Sequence, residues 1–340
     1  MAYAQRGPDY GLNLMRTYLS ILLASFLLLS PALAQKKVSK KELQRASVEL
    51  AALYQADQED QNLWGEVSEE ELAKRSDERH TRVTALVAAG LMSTPKDYNY
   101  AAWLLQHGTG TDDFLMAHIL ASTASMEQMD EAYFMAAAAL DRFLGYVDMP
   151  QRFGSQTFDE AGLDLGDTSA LLSDAIVALY RGDASGLTGT PLKGNTRNKK
   201  SIKAAEKYLK STAKKAKKAS AAKDEKGLAK WQAMLQETQA WIAKGCLKSA
   251  QAYYDAGTIL SFSKDRDALL LAHIMATTAG ILEHKKARPL FTSTLDAFLL
   301  SIGRAPVFES VKKATEETPP LSPILQLHPR VRARLLGKMK

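Results

Sequence analysis

The chain has 340 residues, 46% of them hydrophobic, with a formal net charge of +6 and an isoelectric point near 9.1. This length and apolar content allow one large domain or two ordinary ones, each with a sizeable buried core. Cys246 is the only cysteine, which excludes an intramolecular disulfide, so stability must come from buried apolar surface.

The N-terminus has the pattern of a secretory signal. Arg16 precedes an apolar run over residues 19–29, and the small residues Ala32 and Ala34 fit a cleavage site. The run is shorter than the roughly 20 apolar residues that a membrane-spanning helix needs, although a retained membrane anchor is the alternative. We predict an N-terminal extension and cleaved signal peptide over residues 1–34, with Met15 as an alternative start. The chain is then exported, periplasmic or secreted, with no later transmembrane span.

Helical periodicity dominates the rest of the chain. Apolar residues recur at spacings of three and four, and alternating β-branched runs are absent, which predicts an all-α multi-helix bundle. A first helical unit is predicted over residues 35–181. Its helices are expected over residues 41–56, from the capping box Ser68–Glu71 to Gly90, from Pro95 to Gly108, from Thr111, over about 131–146, and over 167–180.

A lysine-rich segment follows a linker predicted over residues 182–198. About fourteen lysines and arginines face three acids between residues 193 and 230, and residues 199–245 read as a helical hairpin with a basic face. Such a face could bind a polyanion or an anionic membrane surface, or simply be solvated. It lacks interleaved aromatic residues, so nucleic acid is not an expected partner. The lysines assigned to this role are Lys199, Lys200, Lys214, Lys215, Lys217 and Lys218.

An internal repeat is the strongest signal. Residues 115–124 (LMAHILASTA) match residues 270–279 (LLAHIMATTA), and the register holds without a gap to Phe153 and Phe308. About a third of roughly forty positions are identical, which predicts a duplicated helical unit. Residues 246–340 are then a second, degenerate unit. The fold prediction is a bundle with an internal two-fold helical repeat and the lysine-rich hairpin between the copies.

Comparing the two copies separates shared from unshared polar residues. His118 and Asp141 recur in the second copy as His273 and Asp296, and shared polar residues within apolar helices are expected to be structural. Other polar residues occur in the first copy alone, which indicates either a functional surface or drift. Gln106, His107, Arg142, Gln151 and Gln156 correspond to Ser261, Phe262, Ala297, Pro306 and Val311.

The first-copy residues suggest a site. His107, at a helix C-terminus, could act as a general acid or base near neutral pH, and Asp141 could orient it. Arg142 could hold an anionic group, and Gln151 and Gln156 could bind amide or sugar groups. Gln106 and Trp103 complete the candidate binding set. The alternative is that His107, Arg142 and both glutamines tie the loop over residues 149–156 onto the helices.

A family resemblance rests on four motifs of the first unit. They are Asp77-x-x-His80, the run YNYAAWLLQHG over residues 98–108, LDR over residues 140–142, and MPQRFGSQ over residues 149–156. In this order they resemble the bacterial family called domain of unknown function 6624. Phe153 and Ser155 replace the commoner tyrosine and threonine, and the resemblance covers about residues 72–157. It implies a helical domain and brings no established chemistry.

These patterns leave three functions open. The first is an exported, non-enzymatic helical protein that binds an envelope or extracellular component through the first copy. The second is a cell-envelope hydrolase-like enzyme using His107 and Asp141, and the third is attachment to a polyanion or membrane surface through the basic hairpin. Phosphate-binding and hydrolase motifs are absent, and the six histidines lack metal-ligand spacing, so no cofactor or metal is expected.

Overall fold

The computed structural model describes residues 38–63, 65–156, 172–180, 198–311 and 319–338. The chain is all-α over these residues, as the periodicity predicts, and residues Lys41–Lys340 form one compact unit. The predicted signal peptide and nearly all of the predicted linker lie outside the described residues. Within the described part of the chain, no helix combines the length and the apolar character needed to cross a membrane.

The first five helices begin and end close to the predicted positions. Ser68 caps α2 by accepting a hydrogen bond from the Glu71 backbone N–H, and Thr94 forms a capping box with Asp97 at the start of α3. The helices are α1 (Lys40–Gln61), α2 (Glu69–Ala88), α3 (Pro95–Gln106), α4 (Thr111–Ser125), α5 (Glu131–Gly145) and the short α6 (Asp174–Tyr180).

Six further helices follow α6 in the described residues. They are α7 (Lys199–Ser220), α8 (Glu225–Ala243), α9 (Ala250–Leu260), α10 (Arg266–Ile281), α11 (Ala287–Ser301) and α12 (Pro329–Leu335), with a 3-10 turn at Pro323–Leu325 before α12. The apolar faces of these helices and of α1–α6 join in one hydrophobic core. The buried Cys246 belongs to the segment between α8 and α9.

Helices α1–α5 and α7–α11 match each other in order and length. The first set has 22, 20, 12, 15 and 15 residues. The second set has 22, 19, 11, 16 and 15 residues. Backbone details also correspond, since Gln128 and Glu283 both adopt positive φ angles, of 65° and 63°, after α4 and α10. We call α1–α5 with the loop to residue 156 the first half, and α7–α11 with the loop to residue 311 the second half.

The lysine-rich hairpin therefore occupies the place of the first two helices of the second half. When α1 and α7 are aligned from their first residues, their buried positions coincide: Ala46 with Ala205, Leu50 with Leu209, and Asp57 with Ala216. Helix α7 packs against α9, and α8 packs against α7. We therefore group the hairpin with the second half, whereas the sequence-based division treats it as a segment between the copies.

The two halves meet through equivalent residues. The His118 and His273 side chains, from α4 and α10, approach within 2.9 Å through their Nε2 atoms across a separation of 155 positions. Asp112 at the start of α4 pairs with Arg304, and Asp267 at the equivalent place in α10 pairs with Arg152. In each pair the arginine comes from the loop that ends the opposite half. Such reciprocal contacts are typical of a two-fold arrangement.

Candidate functional site

Asp141 holds the loop that follows α5. Its buried carboxylate accepts hydrogen bonds from the backbone N–H groups of Arg152 at 2.7 Å and Ser155 at 2.9 Å, and from the Ser155 hydroxyl at 2.7 Å. Burial raises the pKa of Asp141 despite these donors. Asp296 makes the equivalent bonds to Phe308 and Ser310. A carboxylate that makes these bonds in both halves holds the backbone of the loop in place. Asp141 does not orient His107, contrary to the expectation from the sequence.

Arg142 and the two glutamines bind to one another and to the helices. Arg142 donates from Nη1 to the Gln106 carbonyl at 2.6 Å and from Nε to Gln156 Oε1 at 3.1 Å. Gln156 N–H donates to Gln151 Oε1 at 2.9 Å, and the Gln151 amide donates back to the Gln156 carbonyl at 3.1 Å. These contacts agree with the alternative prediction, in which Arg142 and both glutamines hold the loop over residues 149–156 against the helices. Through Gln106, they also anchor the residue that precedes His107.

His107 is oriented by Asp57 of α1. The imidazole Nδ1 lies 3.0 Å from Oδ2 and 3.1 Å from Oδ1 of this carboxylate, whose residue is 2% exposed. His107 itself is half-buried, and its Nε2 has no hydrogen-bond partner within the described part of the chain. The Trp103 ring lies 6.5 Å from the imidazole in an edge-to-face arrangement. Asp57 therefore holds the His107 imidazole by Nδ1, and Nε2 is the nitrogen that can contact a ligand.

Arg79 of α2 completes the buried ionic cluster. Its Nε lies 3.5 Å from Asp57 Oδ1 without making a hydrogen bond, and its Nη1 pairs with Asp60 Oδ2 at 2.5 Å. Asp60 also accepts from Arg75 Nη1 at 3.1 Å. Burial opposes ionisation of Asp60, but the hydrogen bonds from both arginines outweigh it and lower the pKa of this carboxyl. Arg79 is therefore a buried cation shared between two carboxylates.

These groups line a cleft of about 330 Å³ between α1, α2 and the C-terminus of α3. Its walls are partly apolar, through Leu72 and Ala73, and the Asp57–Arg79–Asp60 cluster and His107 line it as well. We call it the His107 cleft. Its lining residues are Asp57, Asp60, Gln61, Glu69, Leu72, Ala73, Ser76, Arg79 and His107.

The second half carries apolar residues at the equivalent positions. Asp57 and Asp60 correspond to Ala216 and Ala219 when α1 is aligned with α7. Aligning α2 with α8 from their shared ends at Ala88 and Ala243 places Ser76 with the buried Trp231 and Arg79 with Met234, and His107 corresponds to Phe262. Met234, Ala219 and Phe262 pack against the hydrophobic core. The same helical frame therefore exists with and without the ionic cluster.

A second histidine–carboxylate pair lies next to the cleft. His80 Nε2 is 2.9 Å from Asp113 Oδ1, and this neighbouring carboxylate raises the pKa of His80 although burial opposes the shift. Asp113 also accepts a hydrogen bond from the Gly110 backbone at 3.0 Å. In the second half, Leu235 and Ala268 stand at these two positions. This pair, like the first, belongs to the first half alone.

Sequence analysis indicated His107, Trp103 and Gln106. It missed Asp57, Asp60 and Arg79. Asp57 is 50 positions before His107 in the chain, on a helix outside the region where the sequence repeat is evident. The available signal was a carboxylate at an apolar register position of α1, because Asp57 follows Ala46, Leu50 and Leu53 at helical spacing. Among the described residues, no cluster of three or more possible metal ligands is present.

Comparison with known protein families, with curated proteins and with solved structures finds no match for this chain. The resemblance to domain of unknown function 6624 stays a prediction. The internal comparison between the two halves is therefore the basis for assigning the cleft.

Proposed function

We propose that the protein is an exported binding protein whose ligand enters the His107 cleft. One observation carries the proposal: when helices of matching order and length are aligned, Ala216, Met234 and Phe262 of the second half stand opposite Asp57, Arg79 and His107. A buried ionic cluster brings little net stability, because desolvation offsets the attraction between its charges. Polar groups that the fold does not require, and that face a cleft, are best explained by a ligand.

The chemistry of the cleft favours a ligand with both polar and apolar parts. His107 Nε2 can donate or accept one hydrogen bond, while Leu72 and Ala73 offer apolar contact. The exposed Glu69 adds a carboxylate that can accept from an amide or an amine. A peptide or glycan fragment of the cell envelope combines such groups, and it fits the predicted export of the chain.

A second candidate is general acid–base catalysis by His107. A buried carboxylate that holds Nδ1 fixes the imidazole tautomer and leaves Nε2 to move a proton, which is the arrangement of a histidine–aspartate dyad. Asp57 replaces Asp141 as the orienting carboxylate in this hypothesis. The attacking group would be a water molecule, because Ser76, the one hydroxyl side chain among the described residues that line the cleft, has no base assigned to it.

Isothermal titration with soluble disaccharide–peptide fragments of peptidoglycan tests the binding proposal. We expect the wild-type protein to bind, and His107→Phe to weaken binding about 10- to 100-fold, since a hydrogen bond to a charged or strongly polar group contributes about 1.5–3 kcal/mol. Phe262→Leu is the matched control at the equivalent position of the second half, and it should leave the affinity unchanged.

The outcomes separate the candidate functions. Equal affinity of the wild type and His107→Phe would show that the fragments do not bind in the His107 cleft. Chromatography of the fragments after incubation distinguishes binding from catalysis: products that form with the wild type, and not with Asp57→Asn or His107→Phe, would favour the acid–base alternative.

A further inference from the structure

The hairpin of α7 and α8 exposes an extended field of positive charge. Its twelve lysines are all exposed, against four acids, Glu206, Asp224, Glu225 and Glu237. We call these lysines the lysine face. They are Lys199, Lys200, Lys203, Lys207, Lys210, Lys214, Lys215, Lys217, Lys218, Lys223, Lys226 and Lys230.

The fold does not require this charge. Helix α7 packs on α9 through a narrow side made of Ala205, Leu209, Thr212 and Ala216. Its lysines are all exposed and outside this apolar side, and Lys210 and Lys214 lie near the Asp255 carboxyl of α9. Helix α1 has the same length and the same buried register in the first half, yet it carries five acids against three basic residues. One helical frame therefore supports opposite charges in the two halves, and the lysine face needs an explanation other than packing.

The chemistry of the face suits a broad anionic surface. The segment from residue 199 to residue 230 contains lysine and no arginine, so it offers point charges without the bidentate fork that recognises single phosphates or carboxylates. Helix α7 has 22 residues, a length of about 33 Å. Tyr208 and Trp241 are half-buried and Trp231 is buried, so the described residues of the hairpin include no fully exposed aromatic ring on which nucleic-acid bases could stack.

We propose that the lysine face docks the protein on a membrane surface rich in anionic phospholipid. Attachment is electrostatic, because the apolar side of α7 is already packed against α9. Leu228 of α8 is 44% exposed between Lys226 and Lys230 and can enter the headgroup layer beside them. This surface is separate from the His107 cleft, so one can fail experimentally without the other.

Vesicle sedimentation of the full chain tests the proposal. Phosphatidylglycerol vesicles should pellet the protein at about 50 mM salt and release it at about 500 mM, whereas phosphatidylcholine vesicles should not pellet it. Each lysine near such a surface strengthens binding roughly five-fold. Reversing four of them, with Lys214→Glu, Lys215→Glu, Lys217→Glu and Lys218→Glu, should weaken binding at least about 100-fold.

The control variant changes the net charge by the same amount at exposed lysines outside the hairpin: Lys74→Glu, Lys264→Glu, Lys285→Glu and Lys286→Glu. It should retain most of the binding. Equal losses in the two variants would show that net charge alone governs retention and would overturn the assignment of this face. Retention on phosphatidylcholine, pelleting without vesicles, or binding that ignores salt would overturn it as well.

Discussion

Replacing Arg79 by methionine should lower the free energy of unfolding by about 3–5 kcal/mol. The substitution leaves Asp57, which is 2% exposed, with His107 as its partner, and it also removes a partner from Asp60. Asp57 keeps its contacts to His107 and Gln58, but without the guanidinium its desolvation cost is offset by less electrostatic attraction. The effect is large although methionine stands at the equivalent position, Met234, of the second half.

Urea unfolding followed by circular dichroism measures the difference. Arg82→Met is the matched control, because Arg82 lies on the same helix and pairs with Glu49 in an exposed bridge. Exposed bridges contribute about 0–1 kcal/mol, so this variant should resemble the wild type. Similar losses for the two variants would mean that the burial of Arg79 does not matter.

Acid should weaken the contact between the two halves through its histidines. Burial lowers the pKa of His118 to about 4 and that of His273 well below its ordinary value of 6.5. The His118 Nδ1 lies 2.8 Å from the Ala136 carbonyl, and its Nε2 faces His273 Nε2 at 2.9 Å. The distances fit a neutral His118 that donates from Nδ1 to the backbone carbonyl and accepts, at Nε2, a hydrogen bond from the Nε2–H of His273. Protonation of His118 at Nε2 would remove the acceptor of this hydrogen bond and leave two N–H groups facing each other.

The sign of the pH effect follows from the depressed pKa. Above pH 6.5, His118 is neutral in both the folded and the unfolded states. Below pH 6.5, His118 binds a proton in the unfolded chain and stays neutral in the folded protein until the pH approaches 4. Stability should therefore fall from about pH 6.5 to about pH 4, by roughly 3 kcal/mol for His118 alone.

Urea unfolding at pH 7.0, 6.0, 5.0 and 4.5 provides the measurement. We expect the stability of wild type to converge on that of His118→Gln as the pH falls, because the glutamine variant has lost the titrating group. His284→Gln, at a half-buried surface position, serves as the control with a smaller difference. Parallel curves for the wild type and His118→Gln would contradict the expected linkage.

Local signals predicted the helices well. The caps at Ser68 and Thr94 act within three residues and do not depend on tertiary contacts, so the starts of α2 and α3 were readable. The sequence predicted the lysine-rich hairpin without locating its turn. Alanine and lysine favour helix on both sides of it, and the stop was marked only by Asp224, which caps α8 by accepting from the Gly227 N–H.

The sequence predicted only some of the residues that form the His107 cleft. Comparing the copies pointed to His107, because its counterpart Phe262 lies within the region where the sequence repeat is visible. Sequence analysis missed Asp57 and Arg79 because α1 and α2 have few residue identities with α7 and α8, so the correspondence of these helices appears only once the structure is known. Arg142, Gln151 and Gln156 bind one another and carbonyl groups of the helices, so they hold the loop in place. Residue types alone do not distinguish this role from ligand binding.

A grafted variant tests most directly whether the ionic cluster is there for a ligand. It carries the second-half residues at all five positions: Asp57→Ala, Asp60→Ala, Ser76→Trp, Arg79→Met and His107→Phe. Replacing a buried ionic cluster by well-packed apolar residues is often neutral or stabilising by about 1–4 kcal/mol. In urea unfolding, we expect the grafted variant to be at least as stable as the wild type, although Arg79→Met alone is costly. A grafted variant less stable than Arg79→Met would show that the cluster serves the fold, and the proposed site would then lose its basis.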